Sequence, residues 1–335
     1  MYAALQGQPV LKGEPVSKNR DDFFVISVRS ILPETAGDFD LYLKRDDWFV
    51  LYASKGDSFA IDPKLTRILR VNEFYVPVSQ RYEYEKYLAK NLGAMLLNEE
   101  LPIEKRSEIF YNMSTKILQA SLVTKMPRGL NPTAYKEMQD VVLKAVHFLS
   151  LEGTLKSVSE FVSRKYHSYT HSINVMVLAV SILQTMDTQQ DELLQCGLGA
   201  VLHDIGKTLI PDEILNKAEE LTEEEWDLVK THPVRAISIC SSIPLTPITT
   251  NCILFHHERY DGTGYPGGLA GEAIPFHARV MSVCDVYDSL TSDRPYAKAL
   301  KPYDALDTMQ GKLRGAFDST IYKRLVYVLG NARVI

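Results

Sequence analysis

Residues 193–207 read LLQCGLGAVLHDIGK, and this stretch decides the class of fold. Leu194, Leu198, Val201 and Leu202 recur at three- and four-residue steps, the spacing of one face of a helix that packs into a core. His203 and Asp204 follow where that helix gives way to Gly206. An imidazole beside a carboxylate in such a place is costly unless it is hydrogen-bonded or metal-bound. Alone, such a pair is more often a structural polar contact than a ligand set.

The same pattern recurs downstream. YTHSINVMVLAV puts His171 at the head of an apolar helix, VKTHPVRA puts His232 before a proline, and ITTNCILFHH ends an apolar helix on His256 and His257. RVMSVCDVYDSL sets Asp285 among Val280, Val283, Cys284 and Val286, where an unpaired carboxylate is poorly tolerated. Five histidines and two aspartates therefore need partners. A binuclear metal centre satisfies them together, with Asp204 as the natural bridge. A nitrogen and oxygen donor set without thiolate points to iron, manganese or a similar ion rather than a structural cysteine zinc site. His147, inside VVLKAVHFLSLEG, and His277 read as structural residues.

Length and composition bound the rest. A chain of 335 residues with 45% hydrophobic residues predicts two domains with a substantial core. A net charge of −5 and a pI near 5.9 exclude a broad nucleic-acid surface, so an anionic ligand needs a local positive centre. Cys196, Cys240, Cys252 and Cys284 lie far apart without a CxxC pair, which predicts reduced structural thiols and a cytoplasmic setting. No signal peptide and no membrane span are expected.

The predicted class is α+β overall. Residues 1–80 form a small β-rich regulatory or docking domain, in which FDLYLKRDDWFVLYASKG holds two strands around Arg45-Asp46-Asp47 and EFYVPVS closes the sheet. Residues 81–127 read as a helical coupling segment, with Pro102 between two helices. MPRGLNP, Met126 to Pro132, marks the boundary of an all-α catalytic domain over 128–335.

HDIGK, the following THP, HHERYDGTGYPGGLAGEAIP and DVYDSLTSDRPY together resemble the HD-GYP subgroup of metal-dependent HD phosphohydrolases, in family order from about Asn131 onward. The resemblance implies a helical HD-type domain that hydrolyses cyclic di-GMP to pGpG, and onward to GMP, through a hydroxide bridging two metals. It implies one ion on His171, His203, Asp204 and Asp285 and the other on Asp204, His232, His256 and His257. Lys207 and Arg294 are implied to hold phosphate oxygens, and Gly264-Tyr265-Pro266 matches the signature triplet that handles substrate or docks a partner such as a diguanylate cyclase. Asp261 and the glycines shape that loop. After RPY, Ala297 stands where many members carry a basic residue, so a substrate contact there is weakened or moved to Lys298. Ala236 and the NKAEEL loop also depart from the pattern without removing a ligand. His167, four residues before His171, is a candidate third-metal ligand if the helix already includes Tyr166. Hydrolysis of another cyclic dinucleotide, or a weakly catalytic docking module, are the rival readings, and a homodimer is compatible with the sequence.

Overall fold

A computed structural model describes residues 20–45, 48–59, 73–122, 129–161, 167–217, 219–293 and 298–334. The chain divides into two compact units, Met1–Ile109 and Phe110–Ile335, and the division falls inside a helix.

In the first unit β1 (Phe23–Ser27), β2 (Leu41–Arg45), β3 (Trp48–Ala53) and β4 (Glu73–Pro77) form an antiparallel sheet in the order β1-β4-β2-β3. β2 and β3 are the predicted hairpin, paired from Arg45↔Trp48 to Leu41↔Ala53. Asp46 and Asp47 of its turn lie outside the described residues. Period-2 alternation buries Phe74 and Val76 of β4 while Glu73 faces solvent. Next come α1 (Arg81–Lys90) and α2 (Leu92–Leu97). Tyr84, Tyr87 and Leu88 share one buried face of α1, and the rings of both tyrosines meet Phe39 edge-on at 5.4 Å. Their hydroxyls find partners, as buried phenols require: Tyr84 pairs with Ser30 Oγ at 2.9 Å, and Tyr87 accepts the Leu32 N–H at 2.8 Å. Residues 81–97, predicted as part of a coupling segment, thus fall within the first unit and turn one face to its core. The three- and four-residue rhythm announces a one-sided helix but not the surface it covers. α3 (Ile103–Leu122) begins after Pro102, as the proline predicts, and spans the division between the units.

The second unit is helical. Its elements are α4 (Pro132–Leu149), α5 (Thr154–Ser159), α6 (Ser168–Gln184), α7 (Gln190–Leu202), α8 (Asp212–Leu215), α9 (Glu223–Lys230), α10 (His232–Ile239), α11 (Pro247–Phe255), α12 (Phe276–Thr291), α13 (Pro302–Gln310) and α14 (Ser319–Asn331). Asn131 caps α4 by accepting the Thr133 N–H at 2.7 Å, with Pro132 in the first turn. Met126, Pro127 and Arg128 of the predicted boundary lie outside the described residues. α6 is buried without a break from Thr170 to Leu183, the mark of a central core helix, and α4, α7 and α12 pack around it. α11 packs on α7 and α12, and α10 lies against the short 3-10 helix Ile205–Leu209. That last approach requires Gly206, because a Cβ there would stand 1.9 Å from the carbonyl oxygen of His232.

Candidate metal centre

The packing brings four helix termini and the middle of α12 to one place. His171 lies in the first turn of α6, His203 closes α7 with Asp204 next to it, His232 opens α10, His256 closes α11 with His257 following, and Asp285 projects from α12. Their donor atoms form two groups, Asp204 with His232, His256 and His257, and His171 with His203 and Asp285; within each, the atoms lie within 4.8 Å of one another. Six of the seven are buried, and His257 is half-buried.

Four of the five imidazoles are oriented by a hydrogen bond at Nδ1. The Nδ1–H of His203 donates to the Ala200 carbonyl, that of His232 to Val229 and that of His256 to Ile253, each at 2.8 Å and each three residues back along the chain. A carbonyl can only accept, so these rings carry their proton on Nδ1 and turn a bare Nε2 inward. His171 does the same with a carboxylate, donating from Nδ1 to Asp288 Oδ2 at 2.7 Å, while the amide of Asn174 donates to Asp288 Oδ1 at 2.8 Å.

The inward Nε2 atoms then face one another. His171 and His203 approach to 3.2 Å, and so do His232 and His256. Two lone pairs at that distance repel unless a cation lies among them. Protonation is a poor substitute: burial holds His256 well below the usual imidazole range, and the neighbouring His257, His203 and His232 push it further down. Burial likewise takes His257 down to about 3, with Asp285 working the other way.

Asp204 divides its carboxylate between the two groups. Oδ2 stands 3.7 Å from His171 Nε2 and 3.5 Å from His203 Nε2, and Oδ1 stands 3.3 Å from His232 Nε2. Burial opposes its ionisation, but Lys207 and then His203 and His232 outweigh burial and keep the acid well below the usual range. Asp285, 3.1 Å from His171 Nε2, is held down in the same way by His171 and His257 against its burial. Asp204 Oδ1 is buried without a hydrogen-bond partner. A buried orphan oxygen, opposed imidazole lone pairs and two ionised carboxylates form a donor set suited to divalent metal ions.

Around this set, Lys207 places Nζ 2.6 Å from Asp204 Oδ2. Tyr265 lies over His257 with ring centroids 4.7 Å apart, and its N–H donates to the His257 carbonyl at 3.2 Å. Gly264 is obligatory in that loop, since a Cβ would stand 2.3 Å from the Arg259 nitrogen. Asp261 turns the loop by accepting the Thr263 N–H and hydroxyl at 3.0 and 2.7 Å. Lys298 is directed to solvent, 93% exposed, with Nζ 3.8 Å from Asp293. Arg294 lies outside the described residues, as does Ala297. His167 departs from its expected place: α6 starts at Ser168, and His167 is an exposed N-cap with extended backbone, stacked on Tyr169. The shared helix face with His171 is therefore absent, because the chain enters the helix one residue too late. His277 pairs with Glu192 at 3.3 Å, and the four cysteines are free and buried.

Two functional residues went unread in the sequence. Asp288 sits three residues after Asp285, hence on the same face of α12, and that spacing was the available signal. Glu258 is buried beside the histidine pair, and its carboxylate accepts the N–H groups of Gly267 and Leu269 at 2.6 and 2.9 Å, strapping the loop that carries Tyr265. Outer partners of this kind orient metal-bound histidines, so Asp288→Asn is expected to weaken metal affinity about 10–100-fold. Competition with a chelator measures it, and unchanged affinity would remove Asp288 from the centre.

A helical domain built around paired histidine and aspartate clusters is the arrangement of an HD-type fold. The sequence pattern of the HD domain family matches residues 156–321, and this part of the chain belongs to that family. It is 34% identical over 209 residues to the Pseudomonas aeruginosa protein named cyclic di-GMP phosphodiesterase PA4108, covering 62% of this chain and 49% of that one. It is 30% identical over 238 residues to a Thermotoga maritima cyclic di-GMP phosphodiesterase, covering 68% of this chain and 62% of the relative. Thus the chain spans between about half and three fifths of the length of these relatives. The solved structure of Bd1817, an HDG"Y"P protein from Bdellovibrio bacteriovorus, shares the fold with a TM-score of 0.63 at 22% identity, over 92% of this chain and 100% of that one. Among the described residues no helix is long and apolar enough to cross a membrane.

Proposed function

We propose that this chain hydrolyses cyclic di-GMP to pGpG, and pGpG onward to GMP, with two divalent ions, iron or manganese, held at the cluster. The observation that carries the reading is Asp204, one buried carboxylate that turns each oxygen to a different group of imidazoles. In this reading His171, His203, Asp204 and Asp285 hold one ion, and Asp204, His232, His256 and His257 hold the other. When bound, such ions lower the pKa of water and offset the charge of a phosphodiester. The chain's own part is to fix the imidazole tautomers through the carbonyls of Ala200, Val229 and Ile253 and to supply Lys207 at the rim. Lys207 is 19% exposed and takes a phosphate oxygen. The names of the P. aeruginosa and T. maritima relatives support the choice of substrate. Among the described residues all seven members of the cluster come from the second unit, which supports a regulatory or docking role for the first. Exposure of Pro266, Gly267 and Gly268 supports docking of a signalling protein, such as a diguanylate cyclase, on the same loop.

The test is to purify the chain with its metals, measure their identity and number, and follow a panel of cyclic dinucleotides by chromatography with iron and manganese supplied separately. Turnover of cyclic di-GMP with two ions per chain is expected. A metal-loaded chain that cleaves only another cyclic dinucleotide would correct the substrate, and one that cleaves none would sink the reading. Lys207→Ala is expected to lower kcat/KM about 10–100-fold, the scale of one charge-assisted hydrogen bond, without emptying the centre. Loss of metal from that variant would make Lys207 a support for Asp204 instead of a substrate contact.

A further inference from the structure

Trp226 projects from α9 with 47% of its surface exposed. Single exposed apolar residues are ordinary, but this one continues a line of rings that begins at the metal ligands. Its indole meets Tyr265 edge-on, with centroids 6.5 Å apart at 77°. Tyr265 in turn lies 4.7 Å from the His257 ring and 6.4 Å from that of His232. The two aromatic side chains thus lead from the cluster outward to solvent.

Charge sorts what can bind along that line. Glu223 and Glu224 stand exposed just before Trp226 on the same helix, while Glu225 is paired with Lys217 at 2.7 Å. Free carboxylates there repel phosphate, whose place is beside Lys207 and the bound cations. A nucleobase is neutral, presents a flat face, and is separated from its phosphate by one ribose. Stacking on an aromatic side chain suits it, and each base so held contributes about 1–3 kcal/mol.

Resting on the phosphodiesterase reading above, we propose that Trp226 holds a guanine base of the substrate by stacking while the phosphodiester lies at the cluster. Tyr265 closes the space between them. Trp226 positions the substrate and takes no part in bond cleavage.

The position is exposed, so Trp226→Ala should keep its fold and its metals. Its KM for cyclic di-GMP is expected to rise about tenfold or more, the scale of one lost base stack, with little change in kcat. Trp226→Phe should recover most of the loss. Binding is read separately by fluorescence, because the chain has two tryptophans, Trp48 and Trp226. In a Trp48→Phe background Trp226 is the sole indole, and GMP and pGpG should quench it at concentrations where ribose 5-phosphate does not. An unchanged KM in active Trp226→Ala, or equal quenching by ribose 5-phosphate, or no quenching by GMP, overturns the assignment. If the unmodified chain cleaves no cyclic dinucleotide, the phosphodiesterase reading fails on its own, and the quenching comparison still decides whether Trp226 stacks a base.

Discussion

Asp204→Asn is expected to abolish hydrolysis, lowering kcat/KM by about a thousandfold or more, well beyond the 10–100-fold cost of losing an outer-shell partner. Metal content should fall below one ion per chain. The fold should survive, and the reason lies in the geometry. Asparagine has nearly the same shape, but it is neutral and offers one oxygen where the carboxylate offers two. Its amide can donate to an inward Nε2, which relieves the opposed lone pairs of His232 and His256, 3.2 Å apart, without any cation. The substitution therefore gives the empty cluster a way to be satisfied while removing the charge that both ions share. Metal analysis, circular dichroism and turnover of cyclic di-GMP read the three effects independently. A folded variant that keeps two ions and substantial turnover would show that Asp204 does not bridge.

The ligand set was legible because each member violates the apolar pattern of its own helix. A histidine at the end of ITTNCILF or an aspartate inside VMSVCDV has no cheap structural explanation, and seven such violations demand a common partner. What the sequence does not carry is the backbone that orients them. The Nδ1 bonds of His203, His232 and His256 each run to a carbonyl three residues back, and that geometry exists only where a helix is ending or beginning. His167 illustrates the same gap. A spacing of four places two residues on one helix face only if both are helical, and His167 adopts extended backbone at the N-cap. The aromatic rhythm of α1 was equally clear as a helix signal, yet only Phe39, arriving from outside that helix, shows which unit it belongs to.

Gly206→Ala should cost far more than its one methyl group suggests, because the obstacle is backbone. A Cβ at Gly206 would stand 1.9 Å from the His232 carbonyl oxygen and 2.7 Å from the Ala236 nitrogen, so neither neighbour can swing aside as a side chain could. Either the 3-10 helix carrying Lys207 or the first turn of α10 must move. We expect a loss of about 3 kcal/mol, at the upper end for overpacking a core, and a fall in Tm of about 6–12 °C for a unit of this size. Moving α10 moves His232, so the group of Asp204, His232, His256 and His257 should lose its ion first, while His171, His203 and Asp285 keep theirs. Gly330→Ala is the matched control: it lies inside α14, a Cβ there meets nothing within 4 Å, and alanine's better helix propensity should leave stability unchanged or raise it by about 0.5–1 kcal/mol. Calorimetry with and without added metal, together with metal analysis, separates the two variants. A Gly206→Ala protein with unaltered Tm and two tightly held ions would contradict the close approach on which the position of His232 depends.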